Sequence, residues 1–386
     1  MILRCVRWQS TTGFTRVTTP YSDSVYKPII AQGIRGLDQL DVPKDFHAGN
    51  QEVVIDRDQQ RSLEGIIESF EAPMQTSIGY GSGVLPQAGY TKQDQQIDFI
   101  NVVGDANQFH RRNLQQYPGH YSTKNLALLR WIQGKDGIYF NPFCPINGHT
   151  VKYGTVSRQA ALHDLSEWTQ LYFAGRLHKP VNFVRDNDPM VKFLNQYNLK
   201  NALTLSVFML GSGKPTKVSI PETFSERQLY EQITRLSYMG DFRMKVGGEN
   251  PHKVKNIVEK QFNLFKQVYE PIIDYFVHRG YLVISESGPN KVFRANLSVN
   301  HRIQLVSTLP LGFRKQLYGM YQDKSIKEIA KDPKLADNMQ SVVSRIIWSS
   351  SIKQAIRGVL SAGLIQSVKY ALAKNAKFWK SRGEKA

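Results

Sequence analysis

The sequence has very few cysteines and no long apolar run. Cys5 and Cys144 are the only two cysteines among 386 residues, too few for a disulfide framework or a four-ligand zinc site. This usage favours a reducing compartment over secretion. No stretch approaches the roughly 18 consecutive apolar residues of a membrane-spanning helix, so the sequence predicts a chain that does not cross a membrane.

Acidic residues are scarce relative to basic ones. The chain carries 50 lysines and arginines against 32 aspartates and glutamates, a net charge of +18. Such an excess attracts polyanions, which leaves nucleic acid, anionic lipid and phosphorylated substrates open as partners. The hydrophobic fraction of 41% is typical of a folded chain, and the length indicates two or three domains.

The N-terminal segment lacks acidic residues altogether before Asp23. Arg4, Arg7 and Arg16 stand there among serines and threonines. This composition predicts a mitochondrial transit peptide over residues 1–22. A secretory signal is disfavoured because no apolar segment follows the basic residues.

The C-terminal segment, residues 350–386, is basic and has the spacing of an amphipathic helix. It carries eight basic residues and one acid, Glu384. A helical arrangement places five apolar side chains on one side: Ile352, Ile356, Val359, Leu360 and Tyr370. A peripheral membrane anchor has this composition, and so does a helix that docks on the protein's own core. Both interpretations remain open from the sequence.

Between the two ends, the apolar periodicity changes from mixed to mainly helical. Strands are predicted at 74–78, 97–103, 138–140 and 150–156, a hairpin at 281–285 and 292–297, and helices at 59–70, 157–174, 224–239, 254–276 and 310–321. This order predicts an α/β domain at 50–187, a mostly helical domain with a small sheet at 188–300, and a helical C-terminal region at 301–386. Pro271 is expected to kink or divide its helix.

The segment Gly79-Tyr80-Gly81-Ser82-Gly83 follows a predicted strand, and Asp98 lies on the next one. Glycines allow backbone N–H groups to approach phosphate oxygens, and a carboxylate on the neighbouring strand can hold Mg²⁺ against a nucleotide. Polymerase-beta-like nucleotidyltransferases combine these two features. A Gly-rich segment alone is a weak signal that also fits an ordinary tight turn. Gly211-Ser212-Gly213-Lys214 lacks the spacing of a P-loop and is interpreted as a surface loop.

Taken together, several motifs resemble the mitochondrial phosphatidate cytidylyltransferase family. They occur in this order: Gly79-Tyr80-Gly81-Ser82-Gly83-Val84 with Gln87-Ala88-Gly89; Ile97-Asp98-Phe99-Ile100; Asn113 with His120-Tyr121-Ser122; Tyr139-Phe140-Asn141-Pro142 through Lys152-Tyr153-Gly154; Ala174-Gly175-Arg176-Leu177-His178-Lys179-Pro180; Leu236-Ser237-Tyr238 with Gly240-Asp241-Phe242-Arg243; and Ser350-Ser351-Ile352-Lys353-Gln354. The resemblance runs from about residue 55 to about residue 380. The motifs are specific as a set and weak one by one.

The resemblance implies a fold and an activity. The expected fold is a polymerase-beta-like nucleotidyltransferase domain, a mostly helical and winged-helix-like domain, and a C-terminal amphipathic helix. The expected reaction converts CTP and phosphatidic acid into CDP-diacylglycerol and pyrophosphate with Mg²⁺, for cardiolipin and phosphatidylglycerol synthesis. The expected location is the matrix side of the mitochondrial inner membrane, as a peripheral protein held to the anionic surface by its C-terminal helix.

The site residues implied by the resemblance have distinct expected roles. Catalysis is expected of Asp98, Lys152 and Asp241, metal binding of Asp98 and Asp241, and nucleotide or substrate-phosphate binding of Gly81, Ser82, Gly83, Tyr121, Arg176, Lys179 and Arg243. The second carboxylate common in such folds is replaced by Ile100, so two-metal chemistry is in doubt. Asp105 or Asp241 could complete the metal site, and the family motif favours Asp241.

Two other interpretations remain. The same core could transfer nucleotides to RNA or protein, although the sequence has no evident RNA-binding signature and no nucleic-acid partner is expected. The chain could also be a non-enzymatic inner-membrane scaffold for protein import. The sequence predicts neither the acyl-chain preference nor the oligomeric state.

Overall fold

The computed structural model describes residues 48–85, 96–212, 223–245, 252–322 and 324–383, with side chains from residue 49 to residue 361. The predicted transit peptide, Gln87-Ala88-Gly89 and the part of the Gly211–Lys214 segment after Ser212 lie outside the described residues. So do the side chains of Tyr370 and all other residues after 361.

A mixed five-stranded sheet forms the N-terminal half. Its strands are β1 (Thr76–Tyr80), β2 (Ile97–Val103), β3 (Tyr139–Ile146), β4 (His149–Ser157) and β5 (Asn182–Asp186), in the spatial order β3-β4-β2-β1-β5. β2 and β4 are parallel, and the other neighbours are antiparallel. The four predicted strands in this region are therefore confirmed, whereas β5 was not predicted.

Four helices accompany this sheet. They are α1 (Arg57–Glu68), α2 (Ala106–Gln116), α3 (Leu126–Gln133) and α4 (Arg158–Glu167). Asp105, one of the two candidates for completing the metal site, is the N-cap of α2, and its carboxylate accepts from the backbone N–H groups of Asn107 and Gln108. This cap satisfies helix donors that would otherwise lack partners.

The helix predicted over 157–174 is shorter than expected. α4 ends at Glu167, and Trp168 adopts a left-handed conformation with φ of 56°. Beyond it the chain forms a loop and a 3-10 turn, Ala174–Arg176, before entering β5. The loop conformation is stabilised by a buried carboxylate described below.

The second half is helical around a three-stranded antiparallel sheet. Its elements are α5 (Pro189–Gly211), β6 (Thr223–Ser225), α6 (Glu226–Leu236), α7 (Phe242–Lys245), α8 (Lys253–His278), β7 (Leu282–Glu286), β8 (Val292–Ala295), α9 (Val299–Ser307), α10 (Leu311–Gly319), α11 (Ile326–Lys331) and α12 (Leu335–Gly383). The strand order is β6-β8-β7, so the predicted hairpin is confirmed. α8 continues through Pro271 and is not divided by it.

One contiguous cluster of buried apolar side chains extends from Val53 to Ile347. It joins the residues of the five-stranded sheet to those of the helical half, with α5 buried between them. The proposed boundary at 187/188 coincides with the start of α5, which is capped by Asp188. Division of the chain into independent domains stays a prediction.

The first half of α12 docks on the protein. Leu335, Met339 and Val343 are buried, and Gln354 Nε2 donates to the backbone oxygen of Ile138 at 2.6 Å. Farther along, Ile356 is 57% exposed. The predicted C-terminal helix is thus confirmed as a helix, and part of it packs on the core. No helix of the described residues is long and apolar enough to cross a membrane.

Two buried histidines predict a loss of stability in acid. Burial lowers the pKa of His110 to about 4, opposed by its hydrogen bond to Gln133. Burial, with the charge of Lys179, lowers the pKa of His178 to about 3. Because an unfolded histidine titrates near 6.5, the unfolded state binds more protons below that pH. The free energy of unfolding should therefore fall as pH drops, by about 2 kcal/mol per histidine at about pH 5.

Urea unfolding at several pH values between neutral and acid measures this slope. His110→Gln keeps a neutral hydrogen-bonding side chain and should give a shallower decline than the unsubstituted protein. Identical pH slopes for the two proteins would contradict a neutral, buried His110.

Candidate active site

A glycine-serine turn connects β1 to the loop before β2. Gly81 has φ of 78°, and a Cβ atom there would lie 3.3 Å from Asp98 Oδ2. A Cβ atom on Gly83 would overlap the backbone oxygen of Gln96. Gln59 on α1 donates to the backbone oxygen of Val84 at 2.9 Å and braces the turn. Glycine is therefore required for this turn to lie against the start of β2.

Asp98 and Lys152 are neighbours on parallel strands. The β2–β4 register pairs the two residues, and Lys152 Nζ lies 3.4 Å from Asp98 Oδ1. Asp98 Oδ1 is buried and accepts no hydrogen bond from any of the described residues. Lys152 Nζ also lies 4.8 Å from the ring centre of Phe140. The predicted placement of Asp98 and Lys152 on strands is confirmed, whereas the pairing of these two strands was not predicted. The Asp98 carboxylate retains capacity for a further ligand.

Arg176 is held by aromatic rings. Its guanidinium lies 3.9 Å from the ring centre of Tyr172, and Nη1 donates to the Tyr172 backbone oxygen. The rings of Tyr80 and Phe140 are 5.7 and 5.8 Å away. Burial alone would lower the pKa of Arg176, but the neighbouring phenols of Tyr172 and Tyr80 raise it. The guanidinium therefore keeps its positive charge and a fixed orientation.

The loop that carries Arg176 is organised by Asp164, which sequence reasoning did not single out. This carboxylate is 5% exposed and accepts four backbone N–H groups at 2.8–3.0 Å. The donors belong to Gln170, Leu171, Phe173 and Ala174. A buried carboxylate requires such donors, and here they fold the loop around it.

Lys179 lies on the other side of this loop, facing the helical half. Its Nζ donates to the backbone oxygen of Gly175 at 2.8 Å and to Ser237 Oγ at 2.7 Å. Lys179 and Lys253 both lie near the ring of Tyr238, at 5.4 and 5.6 Å from its centre. Burial, followed by repulsion from Arg176 and Lys253, lowers the pKa of Lys179 well below its usual value. Lys253 is a cation of this region that sequence reasoning missed.

Asp241 and Arg243 form a close ion pair. Arg243 Nη2 lies 2.5 Å from Asp241 Oδ2, and Nε lies 3.0 Å from Oδ1. Asp241 is 3% exposed. α12 supports this segment, because a Cβ atom on Gly240 would overlap the backbone oxygen of Ser344. The Asp241 carboxylate thus has a cationic partner, and its predicted metal binding stays a prediction.

Electrostatic interactions connect these groups into one region. Burial opposes ionisation of the Tyr172 phenol, but Arg176, Arg243 and Lys152 together lower its pKa. Burial raises the pKa of the Tyr80 phenol, and Asp98 adds to this rise. The candidate site therefore gathers these predicted residues: Gly81, Ser82, Gly83, Asp98, Lys152, Arg176, Lys179, Asp241 and Arg243.

Tyr121 lies apart from this region, in a buried polar network. Its hydroxyl accepts from Asn113 Nδ2 at 2.9 Å and lies 3.0 Å from His110 Nδ1. Asn113 also donates to the hydroxyl of Tyr153, which follows Lys152 in β4. Consecutive side chains in a strand point to opposite faces of the sheet, so this network lies across the sheet from Lys152. Nucleotide contact by Tyr121 stays a prediction.

Comparison with known proteins identifies the family. Residues 63–377 match a family described as "Phosphatidate cytidylyltransferase, mitochondrial". A protein of that name from Saccharomyces cerevisiae is 37% identical over 366 residues, which cover 90% of this chain and 81% of the yeast protein. The chain belongs to the mitochondrial phosphatidate cytidylyltransferase family. Proteins of the same name from Schizosaccharomyces pombe and Mus musculus are each 33% identical, covering 84% of this chain and 85% and 96% of their own lengths.

The resemblance seen in the sequence is therefore confirmed as phosphatidate cytidylyltransferase family membership. Five of the motifs that carried it converge in space: the glycine-serine turn, the Asp98 strand, the Lys152 strand, the Arg176–Lys179 segment and the Asp241–Arg243 segment. The motif that contains Tyr121 lies apart from them. The described residues hold no group of three histidine, cysteine, aspartate or glutamate side chains that could bind a metal on its own. Asp98 remains a suitable single ligand, because Mg²⁺ is often held by one or two carboxylates together with substrate phosphates.

Asp164→Asn should weaken both stability and substrate binding in this cytidylyltransferase-family protein. An amide offers one acceptor oxygen and introduces two donors beside backbone N–H groups, so part of the four-bond set is lost. We expect a loss of about 3 kcal/mol in unfolding free energy. Urea unfolding measures this loss, and Asp58→Asn is the control, because the Asp58 side chain on α1 is exposed. A loss below about 0.5 kcal/mol, the range of ordinary surface substitutions, would contradict the assigned role.

Proposed function

We propose that the protein transfers cytidylate from CTP to phosphatidic acid, forming CDP-diacylglycerol and pyrophosphate. The observation that carries this proposal is the placement of Asp98 and Lys152 against the glycine-serine turn, beside the cations Arg176, Lys179 and Arg243. Family membership supports the same reaction, since the named relatives are phosphatidate cytidylyltransferases. We further propose that the five-stranded half is a polymerase-beta-like nucleotidyltransferase domain and that the helical half is winged-helix-like.

The reaction requires little acid-base catalysis. The phosphate oxygen of phosphatidic acid is already anionic and attacks the α-phosphorus of CTP. The new phosphorus–oxygen bond forms as the bond to the β-phosphate oxygen breaks, and the electron pair leaves with pyrophosphate. Catalysis then consists mainly of positioning and charge neutralisation.

The cations fit the anions of this reaction. Backbone N–H groups of Gly81, Ser82 and Gly83 would contact the CTP phosphates, and Lys152 would neutralise the triphosphate. Arg176 and Lys179 would bind phosphate groups of CTP or phosphatidic acid. A phosphate bound beside Lys179 would offset the repulsion from Arg176 and Lys253 and raise the pKa of Lys179 again.

Asp98 is the residue that we propose holds Mg²⁺. Within the part of the chain that the structure describes, its Oδ1 atom is buried without a hydrogen bond, and its Oδ2 atom faces the glycine-serine turn. Bound Mg²⁺ would neutralise negative charge on the triphosphate. Lys152, within ion-pair distance, would keep the carboxylate oriented before substrate arrives.

Asp241 is more consistent with positioning Arg243 than with binding metal. The carboxylate is buried and engaged by the guanidinium through two oxygens. Arg243 in turn lies within electrostatic reach of Arg176 and Tyr172. We propose that the pair aims the Arg243 cation at the substrate phosphates.

We place the protein on the matrix side of the mitochondrial inner membrane, as a peripheral protein. Support comes from the acid-poor residues 1–22, the excess of positive charge and the exposed apolar residues of α12. The mitochondrial name of the relatives agrees with this location. Its product would then supply cardiolipin and phosphatidylglycerol synthesis.

Replacing Asp98 tests the reaction and the metal site together. With α-labelled CTP, phosphatidic acid vesicles and Mg²⁺, we expect lipid-soluble label from the unsubstituted protein. Asp98→Asn keeps the shape but removes the charge, and should reduce transfer on the order of 100-fold. Asp105→Asn is the matched control, since that carboxylate caps α2 and should affect stability alone.

Each other outcome has a distinct meaning. Label in RNA or protein would identify a different acceptor. No label, together with no Mg²⁺-dependent CTP binding by folded protein, would support a scaffold instead. Loss of transfer in Asp105→Asn but not in Asp98→Asn would indicate that Asp105, and not Asp98, binds the metal.

Asp241→Asn separates positioning from metal binding. If the carboxylate orients Arg243, transfer should fall roughly tenfold while the Mg²⁺ concentration for half-maximal rate stays unchanged. Arg243→Lys breaks the same two-point contact and should reproduce the loss. A rise in the required Mg²⁺ concentration for Asp241→Asn alone would instead identify a metal ligand.

A further inference from the structure

The short helix α3 exposes large apolar side chains on its outer side. Leu129 and Ile132 are 0% and 4% exposed and anchor the helix to the protein. On the opposite side, Leu128 is 41% exposed and Trp131 is 69% exposed. These two side chains are three positions apart, so they lie together on the helix surface. Most of the surface of Trp131 therefore lies outside the core.

The C-terminal helix α12 runs beside α3. The Arg357 guanidinium lies against Gly134, the C-cap of α3, and Ser122 Oγ donates to the backbone oxygen of Leu360 at 3.1 Å. Three apolar residues of α12 at this contact are exposed by 57%, 43% and 40%: Ile356, Val359 and Leu360. We call the set Leu128, Trp131, Ile356, Val359 and Leu360 the Trp131 face.

Positive charge accompanies the Trp131 face on both helices. Residues 123–135 carry Lys124, Arg130 and Lys135 without an acidic residue, and residues 352–360 carry Lys353 and Arg357 without one. The three cations of the first segment and Lys353 are exposed. Asp136 follows directly and interacts with Arg357. An apolar centre with a cationic border is complementary to an anionic bilayer surface.

We propose that α3 is a second membrane-contacting element, which inserts Trp131 and Leu128 into the interfacial region of an anionic bilayer beside α12. A bilayer is favoured over a protein partner because the border is cationic and because tryptophan prefers the headgroup region of membranes. Contact through two separately placed helices fixes the orientation of the protein on the surface, which one helix alone does not. The inference rests on the proposed function in one respect, namely that the lipid substrate lies in that bilayer.

Binding to vesicles of phosphatidylcholine and phosphatidylglycerol tests the proposal with the full chain. Trp131→Ala should weaken vesicle binding at least tenfold, because the variant loses a large apolar side chain that the bilayer interface would bury. Leu128→Ser should weaken it less, and the double variant more than either. Met320→Ser is the control, because Met320 is 37% exposed at the end of α10, outside the Trp131 face.

A second readout separates the membrane contact from catalysis. Transfer to phosphatidic acid in vesicles should fall with Trp131→Ala, while transfer to a short-chain phosphatidic acid dispersed below its micelle concentration should stay unchanged. If the unsubstituted protein transfers nothing but Trp131→Ala still loses vesicle binding, the membrane contact holds and the proposed function fails.

Unchanged vesicle binding in Trp131→Ala would overturn the proposal. So would a change in the oligomeric state of Trp131→Ala with vesicle binding retained, since the face would then be an interface between copies of this chain. Equal losses in Trp131→Ala and Met320→Ser would also overturn it, because the effect would not be specific to the Trp131 face.

Discussion

The convergence of four backbone N–H groups on Asp164 is the interaction on which the candidate site most depends. Between α4 and β5 the chain has no regular structure except the 3-10 turn Ala174–Arg176, yet this loop carries Arg176 and Lys179. A single buried carboxylate accepts the four backbone N–H groups at the start of this loop. Asn198 on α5 continues this support, since its amide donates to Ala174 and its oxygen accepts from Trp168 Nε1. The cations are thus fixed before any anion arrives.

This arrangement is electrostatically costly without substrate. Arg176 and Lys253 repel Lys179, and Arg243 repels Arg176. Burial lowers the pKa of Lys179, and this repulsion lowers it further. The aromatic rings around Arg176 and the Asp241–Arg243 ion pair partly offset this repulsion. Such a site is prepared for polyanions, because bound phosphate relieves a repulsion that folding has already imposed.

Sequence patterns within one short segment predicted those parts of the site that are formed by that segment alone. The strand carrying Asp98 and the glycine turn follow from period-two alternation and from glycine's backbone freedom. The Asp98–Lys152 contact joins residues on strands that are parallel neighbours across a long connection, and no spacing in the sequence specifies that pairing. α5 was missed because it is buried on nearly every side and has no apolar stripe to reveal a helical period.

The remaining errors have similar causes. α4 was predicted too long because the residues after Glu167 continue an apolar pattern. The Asp164 carboxylate instead organises these residues through hydrogen bonds to N–H groups six to ten positions along the chain. For α12, the sequence showed the apolar side of the helix. Which part of that side packs on the core and which part is exposed depends on neighbouring elements that the helical period does not reveal.

α12 also fixes the distance and the rotation angle between the Asp241 segment and the exposed residues near Leu360. It touches Gly240 through Ser344 and Phe242 through Ser351, then reaches the exposed residues near Leu360 in one unbroken helix. At about 1.5 Å per residue, Ser344 and Leu360 are separated by roughly 24 Å along the axis. Adding or removing one residue between Ser351 and Ile356 would rotate the exposed side by about 100° relative to the Asp241 segment. Chain length in this stretch is therefore constrained as strictly as residue identity, although no individual side chain there performs chemistry.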